Sequence, residues 1–264
     1  MVGSVLSTDP NNAATWITGY LQAGGAQYAD GGTYHGYIGR KGVMPFPMPE
    51  QDSTSGCTAQ NLCYGSIVTY ANKIRQAFDA NGLLGKPMFQ TEGGWGDANV
   101  TDSDTQIAWI ARFYLLQAGL SVTDSLQLAS WYAWGQTASN TWGVIETIDG
   151  SKQATAAGNA YAQVYNWLEG ATISQPCASL PNSTWTCTLT RPGNYAALAA
   201  WSVSGDVQFT PASSYTSCRD LDSGVSCGGW LPRQPITLGI KPVLFEGTQP
   251  AATLRRHPRR LPRP

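Results

Sequence analysis

KPMFQTEGGWG, residues 86–96, sets one carboxylate, Glu92, directly after a short apolar segment and directly before a glycine turn, Gly93 and Gly94, followed by Trp95 and Gly96. A strand that ends in Glu and runs into glycines presents that carboxylate rigidly at a sheet edge, because the strand fixes its Cβ while the glycines keep bulk away from it. Glu92 is therefore the first candidate for a reacting group. The ordinary alternative is a glutamate that caps the next turn or pairs with a lysine.

On either side of this stretch, strand and helix signals alternate. Met1–Ser7 reads as a strand. Asp9, Pro10 and Asn11 supply helix-start chemistry before a helix over Ala13–Ala23, with Trp16, Ile17, Tyr20 and Leu21 as its apolar face and Gly24 and Gly25 at its end. Tyr28–Ile38 reads as a strand whose far end carries His35 and Tyr37, two residues apart and so on the same side. After a long loop, Ile67, Tyr70, Ala71, Ile74 and Phe78 recur at helical spacing within Gly65–Ala80, and Asn81-Gly82 closes that helix.

Beyond Glu92, Thr101 and Asp102 cap a helix expected to run through Ala118 and stop at Gly119. Leu126–Trp134 reads as a strand with Trp131 and Trp134 on one face near its end. Gln153–Glu169 reads as a helix with Ala157, Ala160, Tyr161, Val164, Tyr165 and Leu168 inward. The pattern, a strand followed by a helix four times over, predicts βαβ units and a parallel sheet covered by helices. His35, Tyr37, Glu92, Trp131 and Trp134 all fall at carboxyl ends of strands, where parallel α/β folds carry their sites.

Past Gly170 the chain changes to short alternating segments separated by Pro, Gly, Asn and Ser, which predicts a small antiparallel β domain. The expected organisation is an α/β unit over 1–170, an all-β unit over 171–247 and a disordered basic tail over 248–264. Arg255, Arg256, Arg259, Arg260 and Arg263 belong to that tail, so the rest of the chain holds 11 basic against 17 acidic residues. An acidic body argues against nucleic acid as a partner.

Only 12% of the 264 residues are charged, while 10 are Trp and 12 are Tyr. Aromatic-rich, charge-poor chains are common among proteins that handle sugars, whose C–H faces stack on flat rings; packing in the core is the ordinary use of any single ring. Six cysteines fall in close pairs, Cys57 with Cys63, Cys177 with Cys187 and Cys218 with Cys227. None has CxxC spacing and histidines are few, so disulfides in an oxidising compartment fit better than a metal site, although 15 pairings are open. No signal peptide or membrane span is visible in the sequence, which leaves an extracellular or periplasmic location resting on the cysteines.

His35-Gly36-Tyr37 at the end of one strand, TEGGWG at the end of the next and SWYAW at the end of the third resemble strands six, seven and eight of the (β/α)8 TIM-barrel glycoside hydrolases of the clan that contains families 5, 39 and 51. The trailing segment ending in KPVLFE is similar to the small β-sandwich that follows the barrel in family 39. The resemblance implies a carbohydrate substrate, no cofactor and a retaining double-displacement mechanism with Glu92 as nucleophile. It implies that His35 and Tyr37 sit beside Glu92 and hold it in one rotamer, and that Trp131 or Trp134, with Trp95 nearby, lines the sugar subsite.

That mechanism also needs a second carboxyl group as acid/base, supplied in this clan by the Glu of an Asn-Glu pair ending strand four. No Asn-Glu dipeptide occurs in the sequence, and Glu50, Glu146, Glu169 and Glu246 are not obvious substitutes. VGSVLS corresponds best to strand five, so the expected fold is strands five to eight of a barrel followed by the sandwich. Open sheet edges would then favour self-association or assembly with the other barrel half. The rival reading is a non-catalytic carbohydrate-binding protein that keeps the aromatic floor. A Ser/His/Asp hydrolase finds little support, because no GxSxG elbow is present.

Overall fold

Three parallel strands form the sheet that carries Glu92: β1 (Gly32–His35), β2 (Met88–Glu92) and β3 (Leu126–Ala129), hydrogen-bonded in the order β1-β2-β3. They belong to a computed structural model that describes residues 9–39, 47–51, 65–96, 100–135 and 153–248. The expected strand at Met1–Ser7, the Cys57/Cys63 pair, Glu146 and the tail beyond Thr248 lie outside the described residues. β2 is the middle strand, so Glu92 stands at the carboxyl end of the sheet rather than on a lateral edge.

The helices follow their sequence signals, with instructive departures. α1 (Pro10–Gln22) begins where Asp9 accepts a hydrogen bond from the Asn11 amide at 2.8 Å. Its buried stripe is Ala13, Ile17 and Leu21, while Trp16 and Tyr20, expected inward, stack on each other at the surface with ring centroids 5.5 Å apart. A 3₁₀ turn at Gly25–Tyr28 takes the place of the start of the expected strand, which shortens to β1. α2 (Ile67–Phe78) buries Ile67, Tyr70, Ala71, Ile74 and Phe78, as the spacing predicted, and ends in a wide turn at Asp79–Leu83 where Gly82 has φ +95°. It crosses the sheet closely: a Cβ on Gly32 would lie 2.1 Å from the Phe78 ring, so only glycine fits there.

α3 (Ser103–Thr123) is capped by Asp102, which accepts from the Thr105 amide at 2.8 Å, and it passes straight through Gly119. The glycine is a contact point and not a stop signal, since its Cβ position is 3.3 Å from Pro176 on the next sheet. β3 ends at Ala129, well short of Trp134, and the chain continues irregularly beside β2 through Ser130 N–H to Gln90 O (2.9 Å) and Tyr132 N–H to Gly93 O (2.7 Å). α4 (Ala156–Leu168) starts at the Thr155 cap and buries Ala157, Ala160, Val164 and Trp167; Tyr165, expected inward, is exposed.

The second half is antiparallel. β4 (Thr172–Ser179), β5 (Thr184–Arg191), β6 (Tyr195–Ser202), β8 (Tyr215–Arg219) and β10 (Val243–Thr248) form one sheet in the order β4-β5-β6-β10-β8, and β7 (Val207–Phe209) pairs with β9 (Ile236–Leu238) as a separate ribbon. Cys177–Cys187 joins β4 to β5, and Cys218–Cys227 ties β8 to the following loop, both as their spacing suggested. One face of the large sheet, through Leu189, Ala197, Ala199 and Trp201, packs onto Ile107, Ala111 and Leu115 of α3 and Val164 and Trp167 of α4. The two halves thus share a continuous apolar seam, reinforced where Lys241 bridges Asp104 of α3 (2.8 Å) and Asp222 (2.9 Å).

Candidate active site

The site grows from the way β1 and β2 end together. Their register shifts between Tyr34 and His35, so His35 pairs with Glu92 itself, and the Gly36 amide donates to the Glu92 carbonyl at 2.7 Å. This irregularity lets two residues of the first strand end face one carboxylate. Tyr37 donates its hydroxyl to Glu92 Oε2 at 3.0 Å, and His35 Nδ1 lies 3.2 Å from the same oxygen. The histidine contact has charge-pair distance but is off the line of a ring N–H hydrogen bond.

Burial and charge define what these neighbours can do. The Tyr37 hydroxyl is pushed well above its ordinary value, first by burial and then by the adjacent Glu92 charge and hydrogen bond, so it remains a proton donor across the ordinary pH range. His35 is shifted below its ordinary 6.5: burial disfavours the imidazolium more than Glu92 favours it. At neutral pH the carboxylate is therefore held by the Tyr37 hydroxyl, with a neutral imidazole packed beside it.

The same shift carries a stability consequence. The unfolded chain takes up a proton at a higher pH than folded His35 does, so the stabilisation by neutral His35 is complete above about pH 6.5 and is lost as pH falls through the lower folded value. Thermal melts from pH 7.5 to 5 are expected to show a decline that a His35→Gln variant flattens. An unchanged slope in the variant would place the acid sensitivity elsewhere.

Below Glu92, a residue that the sequence reading passed over fixes the strand end. Gln90 is fully buried, and its side-chain Nε2 donates to the Glu92 carbonyl at 3.0 Å. The alternation of β2 puts Gln90 and Glu92 on one side, and a polar residue directly after the strand's apolar Met88 and Phe89 is the signal by which the sequence could have given it. Gly93 and Gly36 are required by this amide, because a Cβ at either would come within 2.8 Å of Gln90 Nε2 or closer. Gly94 adopts φ +128° with its Cβ position 2.9 Å from the Trp131 ring, which brings the tryptophan against the turn after Glu92.

The aromatic residues separate into different roles. Trp95 is 3% exposed and packs on Trp109, Phe113 and Trp131 with centroids 5.3–5.9 Å apart, so its ring is core material beneath the turn. Trp131 is partly exposed above that cluster. Trp134 does not share its face: it is 53% exposed and meets Tyr161 edge-on at 5.6 Å. Tyr132, which the sequence reading left without a role, is 39% exposed and close enough to Tyr37 to raise its pKa further. Glu50 is buried in a pair with Arg112. Among the described residues, no group of His, Cys, Asp and Glu side chains could hold a metal ion, and no helix is long and apolar enough to cross a membrane.

A carboxylate at the carboxyl end of a parallel sheet, gripped by residues of the adjacent strand end, is an arrangement of α/β enzymes. The comparisons narrow the fold. No sequence family and no curated protein matches the chain. Among solved structures, it is similar to a family 39 glycoside hydrolase from the gut symbiont Bacteroides cellulosilyticus WH2, with a TM-score of 0.63 and 18% identity over 91% of this chain and 48% of that one. A GH39 beta-xylosidase from Caulobacter crescentus (TM-score 0.48, 13% identity, 94% of this chain, 58% of that one) and the GH39 enzyme from Xanthomonas axonopodis pv. citri (0.47, 13%, 89% and 58%) are also similar. Over 91% of its length the chain thus has the fold of about half of that family 39 structure, and it spans about half the length of the solved structures it matches.

Proposed function

We propose that this chain carries the nucleophile-bearing half of a retaining glycoside hydrolase site, with Glu92 as the nucleophile and the acid/base outside its 264 residues. The observation that supports this is the convergence of the Tyr37 hydroxyl and His35 Nδ1 on the single oxygen Oε2 of Glu92. The Tyr37 hydrogen bond fixes the carboxylate rotamer with the His35 ring packed against it, and Oε1, which has no such contact among the described residues, is the attacking oxygen. Residues 1–170 form the partial barrel in this reading, 171–247 an accessory β-sandwich that braces it, and 248–264 a basic tail. Trp131 and Tyr132 line the sugar subsite, with Trp134 further out and Trp95 supporting from below. Disulfides fit secretion of the whole protein.

In the first step Glu92 Oε1 attacks the anomeric carbon, the bond to the leaving oxygen breaks, and a covalent glycosyl ester forms. With ordinary glycosides the departing alkoxide needs a proton from a general acid, a contribution of about 10²–10⁴-fold. A dinitrophenolate leaves as the anion and needs none. The test is incubation with a panel of 2,4-dinitrophenyl 2-deoxy-2-fluoro pento- and hexopyranosides, followed by peptide mass mapping. The fluorine slows breakdown of the ester, so an adduct on the peptide containing Glu92 is expected. A folded chain that none of the panel labels, or that is labelled at another carboxylate, would refute the assignment.

A further inference from the structure

Where the C-terminal half of α4 meets the large antiparallel sheet lies a polar pocket of about 200 Å³ whose lining shares no residue with the surroundings of Glu92. Four stretches of chain build it: Gln163 and Asn166 from α4, Arg191 and Tyr195 from the β5–β6 turn region, Arg219 from β8 and Glu246 from β10. Leu244 and the buried Trp167 complete the lining. Such a convergence of charged groups from distant segments is costly to assemble unless they satisfy one another or a ligand.

Here the acid is already satisfied. Glu246 accepts from Tyr195 through Oε1 at 2.9 Å and from Arg219 through Oε2 at 2.6 Å. The bases are not used up. Arg191 gives Nη2 to the carbonyls of Asn166 and Trp167 at 2.8 and 2.9 Å, where it also complements the end of α4, and it lies over the Tyr195 ring at 4.9 Å. Its Nε has no partner among the described residues. Arg219 holds Glu246 by Nε and the Gly224 carbonyl by Nη1 at 3.5 Å, and its side chain is 51% exposed. Two guanidinium groups against one carboxylate leave the lining with a net positive charge, set in a body that is otherwise acidic. Each guanidinium is held by fixed partners, so its remaining donors are pre-oriented, which lowers the entropic cost of binding.

We propose that this pocket is a binding site for a small polyhydroxylated carboxylate of the uronate or aldonate kind. The carboxylate takes the spare donors of Arg219 and Arg191, a pairing for which the planar guanidinium suits. The hydroxyls take the amides of Gln163 and Asn166, each of which offers both a donor and an acceptor. The volume admits a single such unit and no polymer chain within it. This site is independent of the role assigned to Glu92.

Sodium glucuronate, glucose and acetate are the probes, titrated into the full chain by calorimetry or ligand-observed NMR. Saturable binding of glucuronate is expected, with glucose and acetate at least tenfold weaker. Arg219→Ala is expected to weaken glucuronate at least tenfold and Glu92→Gln to leave it unchanged. Because Arg219 also braces Glu246, Gln163→Met serves as a milder second variant that keeps the Arg219–Glu246 pair, and it is expected to weaken glucuronate several-fold with an unaltered melt. Acetate as strong as glucuronate would reduce the pocket to a bare oxyanion site, and glucose as strong would remove the role of the charge. Either result, or no saturable binding, or binding lost in Glu92→Gln, overturns the proposal and leaves the cluster as a brace between α4 and the sheet.

Discussion

Glu92→Gln is expected to lower the rate of glycosylation by dinitrophenyl glycosides by about 10⁴-fold or more, the scale seen when a nucleophile is removed. That corresponds to about 5 kcal/mol of transition-state stabilisation at 1.36 kcal/mol per tenfold. The amide is the same size and still accepts from Tyr37, so the fold and the Gln90 contact below it are preserved. Tyr37→Phe is expected to cost much less, about 10- to 100-fold, because it removes one hydrogen bond to a charged group, worth about 1.5–3 kcal/mol. The measurement is the single-turnover rate of dinitrophenolate release. Equal losses in the two variants would mean that Glu92 only orders the site. Azide separates the second half of the cycle: it needs no general base, so it is expected to accelerate breakdown of the ester and give a glycosyl azide of retained configuration. Water-level turnover of unactivated glycosides, untouched by azide, would show that an acid/base lies within this chain after all.

The second large effect concerns stability. Arg112 of α3 and Glu50 form a two-pronged pair, Nε to Oε1 at 2.6 Å and Nη2 to Oε2 at 2.5 Å, with side chains 0% and 2% exposed. Met48 adds its sulfur at 3.8 Å from Nη2, and the pair ties residues 47–51 to the middle of α3. Removing one partner strands a buried charge, so Glu50→Leu is expected to cost about 3–5 kcal/mol. In a chain of this size that lowers the melting temperature by about 6–20 °C. Glu50→Leu combined with Arg112→Met is expected to recover most of the loss, because the uncompensated charge is then gone. A double variant as unstable as the single one would show that the pair is needed for packing and not only for charge compensation.

Some of this architecture was legible in the residues themselves. The period of α2 survived contact with the structure because Ile67, Tyr70, Ala71, Ile74 and Phe78 had no competing use. The face of α1 did not, because Trp16 and Tyr20 found a cheaper arrangement in stacking on each other at the surface. Gly119 misled because a glycine signals a helix end or a close approach equally well, and only the position of Pro176 distinguishes the two. Glu50 offered no signal at all: its partner is sixty-two residues away on another element.

The sequence by itself determined that strands and helices alternate up to Gly170 and that β segments follow, since periodicity and turn chemistry are local properties of the chain. It also determined that Glu92 ends a strand before glycines, and that no Asn-Glu pair accompanies it. Only the tertiary structure decided what surrounds that carboxylate. The register shift between Tyr34 and His35 turns two residues of β1's end toward one oxygen, and the buried amide of Gln90 anchors the strand end from below. Tertiary structure likewise separated Trp131 from Trp134 and put Trp95 in the core. The reason is physical: the identity of a residue sets what it can donate, accept or bury, while its partners depend on distances between segments that the local pattern does not encode.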